Sequence, residues 1–181
     1  MPTTHDAAAA FTVARRLLSA EDCERVLALA RGAERGGVIE GAADAGTRRR
    51  SAVAWLQSSP ESAWVLRRLE ALRAATPFDV DIDGVEPLQV ATYGPGDGYG
   101  WHIDLGPGPA SRRKLSVSVL LSDRCDFVGG ELELGADRGV SAGLQRGDAV
   151  VFPSYLRHRV RPVESGERRS LVAWFTGPPW R

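Results

Sequence analysis

LQVATYGPGDGYGWHID, residues 88–104, opens with a short β-like run, breaks at a cluster of glycines and a proline, and resumes as a second short run. Side chains of a strand repeat with period two, and Gly-Pro-Gly-Asp-Gly supplies the turn chemistry between two such strands. In the second run His102 and Asp104 stand two positions apart, so a strand puts both side chains on one face. Such a pair is open to three readings: coincidence, an acid–base couple, or two of the three ligands of a metal ion.

The chain beyond residue 78 continues in the same pattern. FDVDID, PLQVATYG, YGWHIDL, KLSVSVLLS, GELEL, DAVVFP, HRVRPV and RSLVAWF are short β-like runs, separated by turn residues such as DG, GPGDG, GPGPAS, RGD and ESGE. Many short strands at this spacing predict a sandwich, barrel or jelly roll. Upstream, LLSAEDCERVLALARG predicts a helix with Ser19 as N-cap, Asp22 three residues on, Leu18 in the staple position and Gly32 after the last turn. Residues 36–50 read as a short strand running into a flexible loop, and SAVAWL as a strand. ESAWVLRRLEALRAA reads as a second helix, with Trp64, Leu66, Leu69 and Leu72 at helical spacing and Pro77 ending it. The predicted fold class is α+β, a double-stranded β-helix (jelly roll) core over 78–176 with N-terminal supporting helices in 11–77 packed on one outer face. Residues 1–10 are expected to form a tail, and 1–181 a single domain.

Bulk properties narrow the function. The 23 basic and 23 acidic side chains of the 181 residues cancel, which argues against nucleic acid or an anionic membrane as a partner and leaves a small molecule or peptide. Cys23 and Cys125 are far apart and in no CxxC pattern, so the expected setting is a reduced, cytoplasmic one. No signal peptide or membrane span is expected.

Three histidines exist; His5 lies in the tail and is given no role. His102 and His158 fall in predicted strands. Two imidazoles and a carboxylate on a facial arc leave three coordination positions open, the arrangement of non-haem Fe(II) oxygenases, whereas structural zinc wants four ligands and usually thiolates. After His158, the ESGE turn is expected to close a hairpin that sets Arg168 and Arg169 on the strand beside the histidine. A three-residue loop, with Gly166 left-handed, turns Arg168, Ser170, Val172 and Trp174 to the face of His158; a four-residue loop turns Arg169 inward instead. The odd loop is preferred because it leaves Ser170 inside as a hydroxyl donor. An arginine inside a barrel calls for an anion, and its planar fork suits a carboxylate. A dicarboxylate whose other end chelates iron is 2-oxoglutarate.

In order and spacing, LQVATYGPGDGYGWHID, RKLSVSVLLSD, GGELEL and GDAVVFPSYLRHRVRPVESGERRSLVAWF resemble the prolyl 4-hydroxylase-type Fe(II)/2-oxoglutarate dioxygenases, especially small bacterial members, over roughly residues 86–176. The resemblance implies His102, Asp104 and His158 as iron ligands and catalytic centre. It implies Arg168, ten residues after the second histidine, as the 2-oxoglutarate-binding arginine, and Tyr93 as a lining residue. Near Leu120, where some relatives carry tyrosine or glutamine, this chain is aliphatic, so Arg168 and Ser170 are left to act with Tyr93. The implied cofactors are Fe(II), 2-oxoglutarate and O2, with ascorbate as an accessory. The implied reaction is decarboxylation of 2-oxoglutarate to succinate coupled to hydroxylation of an amino-acid side chain, free or peptidyl. Asp104, where halogenases of this kind carry a small residue, implies hydroxylation, with desaturation and cyclisation as alternatives, rather than halogenation. A cupin-like metal dioxygenase without 2-oxoglutarate and a non-catalytic jelly-roll binding module remain the alternatives. The glycine-rich stretches 41–50 and 106–113 read as mobile lids, and Arg48, Arg49, Arg50, Arg112 and Arg113 as candidates to meet a substrate carboxylate. Trp101 is expected to face away from His102 into core packing, with Trp55, Trp64 and Trp174 also in the core and Trp180 exposed or covering an edge.

Overall fold

Ser19 begins the first helix as its sequence indicates: its hydroxyl accepts from the Asp22 amide at 3.0 Å, and the Asp22 carboxylate accepts from the Ser19 amide at 3.1 Å. In the computed structural model, which describes residues 10–32, 35–40, 49–135 and 139–180, this reciprocal cap opens α1 (Ala20–Arg31), which Gly32 closes. Cys23, Val26, Leu27 and Ala30 form its buried stripe. Helix α2 (Ala63–Ala74) buries Val65 and Leu69, with Trp64, Leu66 and Leu72 partly buried alongside.

The strands among the described residues are β1 (Thr12–Ala14), β2 (Arg35–Glu40), β3 (Arg49–Leu56), β4 (Gly84–Val85), β5 (Leu88–Tyr93), β6 (Gly98–His102) and β7 (Arg113–Leu120). After them come β8 (Phe127–Gly129), β9 (Leu132–Leu134), β10 (Val140–Ser141), β11 (Ala149–Pro153), β12 (His158–Val160), β13 (Val163–Gly166) and β14 (Arg168–Thr176). One antiparallel sheet runs β1-β11-β7-β14-β5-β3-β6-β12-β9-β10, with β2 on β3 and β4 on β14; β8 and β13 form a separate pair. The sheet curls on itself as a jelly roll, and β3 is the seam. Its C-terminal half pairs with β5 (Ala52↔Thr92 to Leu56↔Leu88), while Arg49 and Arg50 pair with Tyr99 and Gly98 of β6.

Period-two alternation sorts the two cores. On β7, Leu115, Val117 and Val119 join Leu171, Ala173 and Phe175 of β14 and the stripes of both helices in the outer core. The opposite faces carry Ala91, Tyr93, Leu120, Val150, Phe152 and Val160, which fill the inside of the roll. Burying an aliphatic or aromatic side chain contributes roughly 1.5–3 kcal/mol each, so these two layers dominate stability. Asp148 fastens the N-terminal segment to the roll: it accepts from Arg15 Nη1 at 2.7 Å, the Arg16 amide at 2.9 Å and the Gln145 amide at 2.9 Å.

Two expectations are corrected. FDVDID (78–83) forms no strand; Phe78, Val80 and Ile82 pack on the outer core, and pairing with β14 begins with Gly84 and Val85. Its alternation reports one-sided burial without a neighbouring strand to complete a ladder. The hairpin also fails. β12 pairs with β6 and β9, while β14 lies between β5 and β7, so Arg168 is not on the strand beside His158. ESGE belongs to a crossover in which β13 pairs with β8. Gly166 is left-handed (φ 75°), as read from the sequence, and a Cβ there would collide with the Asp126 carbonyl oxygen.

Candidate metal centre

The β12–β6 register sets His158 directly opposite His102, so two histidines distant in sequence face each other across one rung. Asp104 follows just past the end of β6, its amide donating to the Ser154 carbonyl at 2.9 Å. The ligand-type atoms of His102, Asp104 and His158 all lie within 4.8 Å of one another. His102 Nε2 is 3.7 Å from Asp104 Oδ1, and His158 Nε2 is 3.5 Å from Asp104 Oδ2.

Tautomers are fixed from behind. His102 Nδ1 donates to the Gly100 carbonyl at 2.8 Å and His158 Nδ1 to the Leu156 carbonyl at 2.9 Å. A carbonyl can only accept, so each Nε2 is left with a free lone pair aimed at the common point. Burial is the main cause that pushes His102 down to about 4, with His158 adding to it and Asp104 opposing, so the imidazole is neutral and ligand-competent near pH 7. For Asp104, burial raises the carboxyl, but both imidazoles and Ser116 outweigh it and hold it below the usual carboxylate range. Ser116 Oγ donates to Asp104 Oδ2 at 2.5 Å and lies 3.0 Å from Ser154 Oγ. The Trp174 indole N–H is buried without an acceptor in hydrogen-bond geometry, yet it favours the charged form of Asp104. Two imidazoles and one carboxylate make a donor set suited to a divalent first-row metal, with positions left for exogenous ligands. The residues fit Fe(II).

One cavity contains the triad together with Arg49, Gln89, Tyr93, Tyr99, Phe152, Arg168, Ser170, Val172 and Trp174. Arg168 is 2% exposed, donates through Nη1 to Ser170 Oγ at 3.0 Å, and stands with its guanidinium 5.5 Å from the Tyr93 ring centre. Burial pushes its pKa below the ordinary arginine value, with the neighbouring Tyr93 opposing. Arg169 points outward and pairs with Glu167. The inward register therefore is the one the odd loop gives, although the strand reaches the cavity from the opposite side of the roll. Register also sets Tyr93 opposite Arg168, and Ser170 opposite Leu120.

Among the proposed substrate arginines, Arg50 pairs with Asp97, Arg112 with Asp83 and Arg113 with Glu86. Arg112 also donates to the Gly177 carbonyl, so the expected lid 106–113 is instead a 3₁₀ turn, Gly108–Arg112, tied to the C-terminal segment. Arg49 faces the cavity. Arg48, His5 and loop residues 41–48 lie outside the described residues. Trp101 does face away from His102, but it sits half-buried beneath Arg159 (4.8 Å) and Arg157 (5.8 Å) rather than in the core. Trp55 is 36% exposed, not core, and Trp180 covers the start of β7 by donating to the Arg113 carbonyl at 3.1 Å. Ser116, Gln89, Tyr99 and Phe152 escaped the sequence reading. The signal for Ser116 lies in KLSVSVLLS, where inward-facing serines alternate with aliphatic residues of the outer core.

Residues 88–176 match the family model described as the 2OG-Fe(II) oxygenase superfamily. A PKHD-type hydroxylase of Synechococcus sp. is 41% identical over 80 residues, which cover 44% of this chain and 36% of that relative; the match thus spans about a third of the relative's length. A solved prolyl-4-hydroxylase of Pseudomonas putida superposes with a TM-score of 0.71 at 24% identity, covering 94% of each chain. A Trichoplax adhaerens prolyl hydroxylase, solved with a hypoxia inducible factor peptide fragment, superposes with a TM-score of 0.74 at 19% identity, covering 94% of this chain and 84% of that one. At these identities the two structures speak to the fold.

Proposed function

The chain belongs to the 2OG-Fe(II) oxygenase superfamily, and from that premise we infer that it is a hydroxylase of an amino-acid side chain, free or peptidyl. The overall reaction is R–H + 2-oxoglutarate + O2 → R–OH + succinate + CO2. Fe(II), once bound, supplies the oxidising chemistry that the side chains of the protein lack. His102, Asp104 and His158 hold it, and the Gly100 and Leu156 carbonyls with Ser116 orient those ligands. Arg168 and Ser170 grip the far carboxylate of 2-oxoglutarate with charge-assisted hydrogen bonds, with Tyr93 beside them. Phe152, Leu132, Val160 and Val172 line the same cavity and limit water around the reacting C–H.

The observation that carries this reading is a buried guanidinium that, among the described residues, has no carboxylate partner and faces the same cavity as the His-Asp-His set. Succinate release in the presence of an amino-acid and peptide panel tests it, together with Arg168→Ala. The expected result is a fall in 2-oxoglutarate affinity of roughly 100-fold or more with metal binding retained. Oxygen uptake that proceeds without succinate release and is unchanged in Arg168→Ala would favour a metal dioxygenase without 2-oxoglutarate; failure of wild type to bind Fe(II) would favour a binding module. Ascorbate would act as an accessory reductant. The free thiols of Cys23 and Cys125 support a reducing cytoplasmic setting, and among the described residues no helix is long and apolar enough to cross a membrane.

A further inference from the structure

A second buried cation faces the cavity, and 2-oxoglutarate does not account for it. Arg49 opens β3 at the seam of the roll, is 8% exposed, and lines the cavity beside Tyr99 and His102. Its Nε donates to Ser51 Oγ at 2.9 Å and its Nη2 to Gln89 Oε1 at 2.6 Å; both acceptors are neutral. The guanidinium stands 5.1 Å from the Tyr99 ring centre, and that ring stacks on the His102 imidazole at 3.4 Å. Among the described residues no carboxylate pairs with Arg49, and its Nη1 has no acceptor, whereas Arg50, Arg112, Arg113 and Arg159 each have an acid. A desolvated guanidinium held on neutral acceptors is costly unless an anion arrives to complete it. Its fork is pre-oriented by Ser51 and Gln89, and it lines the same cavity as His102.

Arg168, at the Tyr93 side, suffices for the one free carboxylate that 2-oxoglutarate retains once its keto-acid end is on the metal. We propose that Arg49 binds the α-carboxylate of the primary substrate, so that the substrate is a free amino acid rather than an internal residue of a peptide. This rests on the hydroxylase reading above and decides between its two substrate classes. An internal residue has its carboxyl locked in an amide and would leave Arg49 without a counter-charge; a free amino acid neutralises it and is thereby oriented next to the iron ligands.

The test is calorimetric binding of the common L-amino acids, their carboxamides, and blocked tripeptides containing the same residues to anaerobic protein loaded with Fe(II) and saturating 2-oxoglutarate. At least one acid should bind on the order of 10- to 100-fold more tightly than its carboxamide and its blocked peptide. Arg49→Met should erase that preference while leaving 2-oxoglutarate affinity within a few-fold, and Arg49→Lys should retain part of it. Because Arg49→Met removes a buried cation on neutral partners, the unliganded Tm should hold or rise, an outcome that a purely structural arginine would not give. Equal binding of acid and amide, tightest binding of a blocked peptide, or a loss of 2-oxoglutarate affinity in Arg49→Met would each overturn the proposal. β2 sets Glu40 at the register position opposite Arg49, so acid selectivity gained only in Glu40→Gln would assign the counter-charge to the chain itself and also overturn it. Failure of the wild type to bind Fe(II) or 2-oxoglutarate is read in the loading step, and would instead refute the hydroxylase reading on which the proposal stands.

Discussion

Ser116→Ala removes a single hydroxyl from the interior of the roll. That hydroxyl is fully buried, donates to Asp104 Oδ2 at 2.5 Å and touches Ser154 Oγ at 3.0 Å. A hydrogen bond to a charged group contributes about 1.5–3 kcal/mol, or roughly 10- to 150-fold in an equilibrium. Without it the carboxylate loses the donor that fixes its rotation towards the two imidazoles, and partners of this kind typically change metal affinity by about 10- to 100-fold. Titration of the metal-free protein with Co(II) or Mn(II) should therefore show a dissociation constant raised by one to two orders of magnitude. The same bond steadies Asp104 in the metal-free fold, so Tm should fall by about 3–12 °C at 2–4 °C per kcal/mol. Alanine is smaller than serine and introduces no clash, so the variant should fold. Metal affinity within twofold of wild type would refute the argument that Ser116 positions the carboxylate.

Other substitutions probe the frame. The Asp148 carboxyl is raised by burial but held below its ordinary value by Arg15 and two backbone amides, so its stabilisation is full above about pH 4 and disappears as pH falls through the folded value. Asp148→Asn should lower Tm at pH 7, and the gap to wild type should narrow below about pH 4 in thermal unfolding; a constant gap would contradict this. Gly166→Ala forces a side chain into φ 75° and into the Asp126 carbonyl, and should cost at least ~2 kcal/mol in urea unfolding. Phe152→Ala empties a buried position whose ring sits 4.7 Å from His158; about 3–5 kcal/mol of stability should go, with weaker metal binding in the same titration.

The jelly roll, the capped first helix and the face carrying Arg168 and Ser170 were legible because each rests on local chemistry: alternation, a reciprocal cap, a left-handed glycine. Pairing was not. The sequence suggests that β12 and β14 form a hairpin because they are close in the chain, yet β14 is claimed by β5 and β7, whose aliphatic faces complete the outer core. FDVDID misleads in the same way, since one-sided burial produces alternation whether or not a neighbouring strand exists. In sequence Arg49 is one of five equivalent arginines; burial, and among the described residues the lack of an acid partner, separate it from Arg50, Arg112 and Arg113, and its burial depends on contacts such as that with Gln89, forty positions away.

The position of β14 also bears on how the chain reaches this form. It is the longest and the last of the described strands, and it joins β5 to β7 through rungs that run from Arg168↔Tyr93 to Phe175↔Leu115. During synthesis β5 and β7 leave the ribosome well before the strand that bridges them, and until it arrives each exposes an unpaired edge to other chains. Closure then demands contacts of long sequence separation, which places this fold among slow folders of millisecond-to-second scale and makes the nascent chain dependent on protection in that interval.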